Sequence, residues 1–215
     1  MQLMSLNVSQ PKMVEHNGTS VLTGIFKQPC TGKKFVTSNN IEGDGQGDMV
    51  RHGGVHKAVY AFSYHHYDYW RHTLNNQNLT PGAFGENLTI SCLDESDIFI
   101  GDRFRLGECL LEVSQPRMPC FKLGIALNNV LAIKLFIDHY CTGVYFRVIE
   151  EGFIEQGDEL IKVGQLAESV SVKTLFQAFM DKQYKNAHHV FSQALLIKEL
   201  GPEWQKALAS RAPYR

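Results

Sequence analysis

The 215-residue sequence contains no Cys-x-x-Cys pair, which argues against a structural zinc knuckle, a thioredoxin motif and a cysteine-ligated iron–sulfur cluster. No apolar run is long enough to cross a bilayer; the longest are strand-sized and interrupted by charges. The start, Met1-Gln2-Leu3-Met4-Ser5, lacks the basic segment and following apolar stretch of a secretory signal. Neither a Walker A motif nor a Gly-x-Gly-x-x-Gly fingerprint occurs. An excess of one charge is also missing: the formal net charge is −1, so the whole molecule is not steered toward nucleic acid. These absences set the expectation of a cytoplasmic protein with no membrane partner and no nucleic-acid partner.

Cysteine is present in an odd number, five, at Cys30, Cys92, Cys109, Cys120 and Cys141. Wide spacing without an export signal points to free thiols in a reducing compartment rather than to a disulfide framework. Charged residues make up 20% of the chain and apolar ones 44%, an ordinary globular balance that leaves no room for long disordered stretches. The length suits one sizeable domain with a smaller attachment.

Short alternating segments rich in β-branched and aromatic residues predict strands over 19–26, 56–63, 87–92, 98–106, 110–114, 143–149 and 159–163. Gly101-Asp102, Gly107-Glu108, Glu151-Gly152 and Gly157-Asp158 supply turns between them. Helical spacing is expected over 64–74 and 129–140. Many short strands with few helices suggest a closed or nearly closed barrel rather than alternating βαβ units. The pattern changes after Gly164. Val172, Leu175, Phe176 and Phe179 recur at helical spacing behind a Ser171 cap, a second helix starts at Asn186 and ends at Gly201, and Pro202 opens a third. The expected architecture is therefore mainly β with α: a barrel over 1–164 and a small three-helix domain over 165–215. Seven basic and four acidic side chains give the tail +3, against −4 for the barrel part. No basic cluster marks one helix face, so a helical cap on the barrel is the expected role.

Four segments can carry chemistry. In Ser114-Gln115-Pro116-Arg117-Met118-Pro119-Cys120-Phe121-Lys122, two prolines stiffen a loop that follows an apolar strand. Positive charge from Arg117 and Lys122 favours the Cys120 thiolate, which suits a nucleophile, a persulfide carrier or a metal ligand. The other four cysteines read as small buried hydrophobes. The run from Gly43 to Lys57 combines glycines with Arg51, His52 and Lys57, and reads either as an anion-binding loop or as a charged hairpin. His52 and His56 are four apart, but Gly53-Gly54 between them disfavours the helix a zinc pair would need. His65, Asp68 and His72 read as the polar face of an amphipathic helix; with His66 they are a possible but not the expected metal cluster. Glu86 and Asn87, after Pro81-Gly82-Ala83-Phe84-Gly85, either face a heterocyclic ligand or complete a turn.

Taken in order, Gly-Asp, Asp, His-Gly-Gly and Lys-Ala-Val-Tyr, then Gly-x-Phe-Gly-Glu-Asn-Leu, then Gly-Asp-x-Phe-x-x-Gly, then Ser-Gln-Pro-Arg-x-Pro-Cys-x-Lys-Leu resemble the MOSC family, named for the C-terminal domain of molybdenum cofactor sulfurase. The match looks closest to the bacterial YiiM-type members, which append three helices to the barrel. It runs from about residue 44 to 163, and Pro-Arg-x-Pro-Cys is its most specific element. The resemblance implies a MOSC-type β-barrel that binds molybdenum cofactor (molybdopterin) with Cys120 as metal ligand and catalytic residue. It implies an oxidoreductase that reduces small N-hydroxylated compounds such as hydroxylamino nucleobases. With no flavin or cluster motif in the chain, its electrons are expected from an external reductase or thiol donor. Charge and donor type add Arg117, Lys122, Arg51, His52, Lys57, Glu86 and Asn87 as cofactor-binding candidates. The alternatives are a sulfurtransfer protein carrying a persulfide on Cys120 and a non-enzymatic cofactor carrier. Two departures from the family pattern stand out: Val55-His56-Lys57 replaces the usual Pro-Asp-Lys, and Arg51 stands where a histidine is common.

Overall fold

In the computed structural model, which describes residues 1–48 and 53–211, β1 (Leu3–Val8) and β2 (Lys12–His16) precede β3 (Thr19–Thr23). The sequence pattern did not single out β1 because its buried positions include Ser5 and Asn7, so no apolar alternation exists to be read. β3 stops earlier than expected. A Cβ at Gly24 would lie 2.1 Å from the Gly45 oxygen, so the chain leaves the strand where the two backbones touch.

β4 (Gln28–Pro29), β5 (Lys34–Val36), a 3-10 turn at Val55–Lys57 and β6 (Val59–Ser63) follow. A second 3-10 turn, Tyr64–His66, leads into α1 (Tyr67–Thr73) and β7 (Leu88–Ile90). Next come β8 (Arg103–Leu106), β9 (Cys109–Pro116), α2 (Phe121–Ala126), α3 (Ala132–His139), β10 (Val144–Glu150), β11 (Gly152–Ile154) and β12 (Leu160–Gly164). The tail holds α4 (Val172–Met180), α5 (Ala187–Leu195) and α6 (Pro202–Ala209). The strand expected over 98–106 shrinks to β8 because residues 99–102 form a turn. The Asp102 amide donates to the Phe99 carbonyl at 3.0 Å, the Phe99 amide donates to Asp102 Oδ2 at 2.8 Å, and Gly101 takes φ +82°.

The main sheet has the order β12-β8-β9-β10-β6-β7-β1-β4. Its pairs are antiparallel except β6 with β7, which run parallel across the α1 connection. One βαβ crossover is thus built into an otherwise antiparallel sheet, where the sequence suggested none. The sheet curls until its β1 side meets the start of β12. A single antiparallel bridge, Gln2 with Glu159, and bonds from the Leu3 amide to the Asp158 oxygen (2.9 Å) and from the Leu160 amide to the Met1 oxygen (2.8 Å) join them. The sheet is therefore barrel-like but not closed: that contact draws the two sides together without a ladder between them.

β6 shows how the layers divide. Val59 and Ala61 point into the barrel core with Leu3, Leu6, Phe104 and Phe146. Tyr60 and Phe62 point out, into an aromatic core with Tyr67, Trp70, Phe84, Leu123 and Phe136, which α1, α2 and α3 cover. The tail forms its three helices in the expected order, but α5 ends at Leu195, short of the expected Gly201, and residues 196–200 form a turn before α6. Ser171 Oγ accepts from the Thr174 amide at 3.2 Å, and Pro202 opens α6. Leu175, Phe176, Trp204 and Leu208 are continuous with the barrel core. Each large apolar side chain buried there contributes roughly 1.5–3 kcal/mol. Trp204 Nε1 donates to the Pro116 oxygen at 3.2 Å, and the Gly201 amide donates to the Ser114 oxygen at 2.9 Å, so α6 is tied to the end of β9.

Candidate functional site around Cys120

Where β9 ends, the backbone of Arg117 is pinned on both sides. Its amide donates to the Gly143 oxygen at 3.1 Å, and Thr142 Oγ1 donates to its carbonyl at 2.6 Å. The guanidinium is 5% exposed and lies over the rings of Tyr60 (5.1 Å) and Phe136 (5.8 Å). Nη2 donates to the Phe84 oxygen at 3.3 Å, while Nη1 is buried without a hydrogen-bond partner among the described residues. Burial opposes the Arg117 charge, and neighbouring Tyr60, Tyr145, Cys120 and Glu86 outweigh it, raising its pKa. Burial also pushes the Tyr60 phenol well above its ordinary value, which keeps it a neutral donor, to the Thr142 oxygen at 2.7 Å.

Met118 and Pro119 carry the chain to Cys120, half-buried and immediately before α2. Cys120 lines two clefts. One, with about 620 Å³ of empty space up to its open mouth, has Gln46, Lys57, Tyr60, Asn87, Arg117 and Lys122 among its walls. The other, about 1530 Å³, is bounded by β3, Phe121 and the tail residues Phe179, Glu203 and Trp204. Counted without the open mouths, the first is a narrow slot of about 80 Å³ and the second holds about 650 Å³, so the wider cleft is the one of small-molecule size.

The structure therefore brings Cys120, Arg117, Lys122, Lys57 and Asn87 to one cleft. Lys57 Nζ is bonded to Glu203 of α6. The Asn87 amide is already engaged: Oδ1 accepts from the Tyr60 amide at 3.2 Å, and Nδ2 donates to Asp44 Oδ2 at 2.9 Å. Asn87 thus shapes the wall more than it offers free donors. Glu86 does not face the cleft. It is fully buried, and its carboxylate accepts from the Tyr67 hydroxyl, the Gly82 amide (2.9 Å), the Phe84 amide (3.1 Å) and Thr89 Oγ1 (2.8 Å). Burial raises its pKa against those hydrogen bonds, and its task is to hold the Gly82–Glu86 turn. Arg51 and His52 lie outside the described residues.

Sequence reasoning missed Lys27, which also lines the first cleft. It pairs with buried Asp44 at 2.5 Å, and burial lowers its pKa against that partner. No motif surrounds it, and only the fold brings it near Cys120. Tyr60 was visible inside Lys-Ala-Val-Tyr, but nothing in the sequence said which way its ring points. In the 43–48 run Gly47 is needed for close backbone approach: a Cβ there would lie 2.3 Å from the Leu22 oxygen. Of the cysteines read as buried hydrophobes, Cys109 and Cys141 are buried, Cys30 is half-buried and Cys92 is exposed just beyond β7. A soft sulfur beside gathered cations can serve as a metal ligand for an anionic cofactor or as a nucleophile.

The MOSC domain family profile matches residues 48–161. An uncharacterized protein of Bacillus subtilis, YflK, is 39% identical over 207 residues, spanning 95% of this chain and 93% of that protein. Protein YiiM of Escherichia coli is 32% identical over 199 residues, spanning 88% of this chain and 84% of its own. A protein named a reductase from Gibberella moniliformis is 34% identical over 146 residues, 66% of this chain but 26% of its own length. The crystal structure of YiiM from Geobacillus stearothermophilus matches with a TM-score of 0.81 at 29% identity, covering 98% of both chains.

Proposed function

The chain belongs to the MOSC domain family and is of the YiiM type, and from that premise we propose that it is a molybdenum-cofactor-dependent oxidoreductase reducing small N-hydroxylated compounds. The observation that carries this reading is the gathering of Arg117, Lys122 and Lys57 around Cys120 in one cleft. The unpartnered Nη1 of Arg117 is the feature an anionic group would satisfy, since a buried guanidinium nitrogen without a partner is costly. The residues present fit the cofactor. Cys120 Sγ would hold the metal, Arg117 and Lys122 would meet the negative charge of the pterin dithiolene or phosphate, and Lys57 would add charge at the rim. When bound, the cofactor supplies two-electron redox chemistry and an acceptor for the substrate's oxygen.

The protein's own residues then set binding and orientation. A planar heterocycle enters through the wider cleft, where the exposed ring of Phe121 stands beside Cys120 and the tail's Phe179 and largely buried Trp204 form part of the wall. This gives the tail a role in the site and favours hydroxylamino nucleobases as substrates. The buried Arg117 charge, with Nη1 still to be satisfied, would stabilise negative charge on a bound anionic group or leaving oxygen, while Tyr60, whose hydroxyl is spent on the Thr142 oxygen, holds the guanidinium in place over its ring. Electrons come from a separate reductase or thiol donor, and the protein works in the cytoplasm.

The test is a preparation from a molybdenum-cofactor-competent host, assayed with an artificial reductant and a hydroxylamino purine. Wild type should contain molybdenum and turn over. Cys120→Ser should fold and lose turnover, because a hard, weakly acidic hydroxyl replaces the thiolate. Turnover at the wild-type rate in that variant would reject Cys120 as the ligand. A wild type that holds no molybdenum but forms a Cys120 persulfide would replace this reading with sulfur transfer.

A further inference from the structure

Away from the two clefts, His66, His139 and Cys141 bring one nitrogen or sulfur atom each within 4.8 Å of one another. The chain assembles them from three places: the 3-10 turn after β6, the last residue of α3 and the segment leading into β10. Tyr140, at φ +61°, reverses the chain after α3 so that Cys141 returns beside His139. A left-handed tyrosine is a strained choice, and here it closes the cluster.

His66 Nδ1 and His139 Nε2 are 3.4 Å apart. That is long for a nitrogen–nitrogen hydrogen bond. It matches the separation of two ligands on one tetrahedral ion, roughly 3.3 Å for metal–nitrogen bonds near 2.0–2.1 Å. The opposite nitrogen of His66, Nε2, lies 3.4 Å from Glu95 Oε2, and Glu95 Oε1 accepts from the Gly143 amide at 3.0 Å. Glu95 is fully buried. Glu95 is placed behind the His66 imidazole, as the carboxylates of metal sites are, and would hold the ring once an ion drew on its other nitrogen. The His139 ring is held flat against Tyr69 (4.3 Å, 11°) and edge-on to Trp70 (5.2 Å). Lys173 approaches the cluster, and Glu95 with Asp94 offsets its charge. His66 remains 20% exposed, which leaves a way in for an ion.

We propose that His66, His139 and Cys141 form a site for a divalent transition metal of the zinc class, oriented by Glu95 and open to solvent at a fourth position. Two imidazoles and a thiolate are the donor set such an ion selects. The site is independent of the Cys120 reading. Its consequence for the rest of the molecule runs through the next two residues, since Thr142 and Gly143 hold the backbone of Arg117. A bound ion would brace that support.

Cobalt(II) is the probe, added to metal-stripped full-length protein in the Cys120→Ser background so that the cleft thiol is silent. One equivalent should produce a thiolate-to-cobalt charge-transfer band and tetrahedral visible absorption, both displaced by zinc. The band should vanish in Cys141→Ser, and cobalt affinity should fall at least tenfold in His139→Gln, whose partly buried position at the end of α3 tolerates the change better than the core position of Cys141. Glu95→Gln should weaken binding by roughly 10- to 100-fold, the usual effect of removing such an orienting group. Zinc should raise the melting temperature of the parent protein but not that of His139→Gln. Absence of a thiolate band in the Cys120→Ser protein, or its persistence at full affinity in Cys141→Ser or His139→Gln, overturns the proposal.

Discussion

Cys120 and Cys141 are separated by two short helices, α2 and α3, yet their surroundings are opposites. Cys120 stands on a loop between two clefts, with cations on its flanks and room for a ligand. Cys141 is buried, and burial together with Glu95 pushes its thiol up to about 12. Cys109, buried in β9, is likewise held at about 12, by burial and Glu108. The comparison teaches that a thiol's chemistry here is set by access and by what neighbours it. An open thiol beside cations can take an anionic cofactor. A closed one becomes reactive only if something displaces its proton, as a metal ion does.

The largest expected effect is on turnover: Cys120→Ser should abolish it, whereas Cys109→Ser should leave the rate per folded molecule near wild type. An active Cys120→Ser protein would erase the distinction between the two thiols. Next is the cleft's charged support. Asp44→Ala leaves Lys27 buried without its partner and should cost about 3–5 kcal/mol in urea unfolding, because Asp44 also holds the Ser9 amide and the Asn87 side chain. Trp204→Ala should cost about 3–5 kcal/mol as well. It should also raise KM for a planar substrate if the tail supplies the stacking face, and an unchanged KM would restrict the tail to a supporting role.

A smaller effect separates the two regions by pH. Burial, reinforced by His66, holds His139 at about 4 in the metal-free protein, below its ordinary 6.5. The unfolded chain takes up that proton first, so the stability associated with a neutral His139 is complete above pH 6.5 and is lost as pH falls toward 4. Unfolding curves collected across that window should show a steeper acid loss for the parent than for His139→Gln. Equal slopes would mean that the imidazole is not protected. The smallest effect is at Cys92, exposed beyond β7: Cys92→Ser should change stability by no more than about 0.5 kcal/mol.

Much of this was legible in the chain itself. Pro116, Pro119 and the cations flanking Cys120 announce a presented thiol. The change from period-two to period-3.6 patterning after Gly164 announces the tail, down to the Ser171 cap and Pro202. Other features were not readable, for a physical reason. β1 buries Ser5 and Asn7 along with Leu3 and Leu6, so its buried positions show no apolar alternation; Ser5 Oγ donates to Asn7 Oδ1, and the Asn7 amide donates to the far-removed Thr89 Oγ1 and Glu86 carbonyl. Glu86 looked like a ligand-facing acid because its residue type fits that task. Only the four donors around its carboxylate show that it is spent on a turn.

The sequence alone determined the family, the mixed β and α composition and the position of the presented cysteine, because each rests on local spacing and residue type. The tertiary structure decided which cations reach that cysteine, that Lys27 and the tail's Trp204 and Glu203 stand near it, and that His66, His139 and Cys141 meet. Those pairings join residues far apart in the chain. They exist because a curled sheet and its covering helices bury apolar faces together, and polar groups are carried to wherever that burial leaves them.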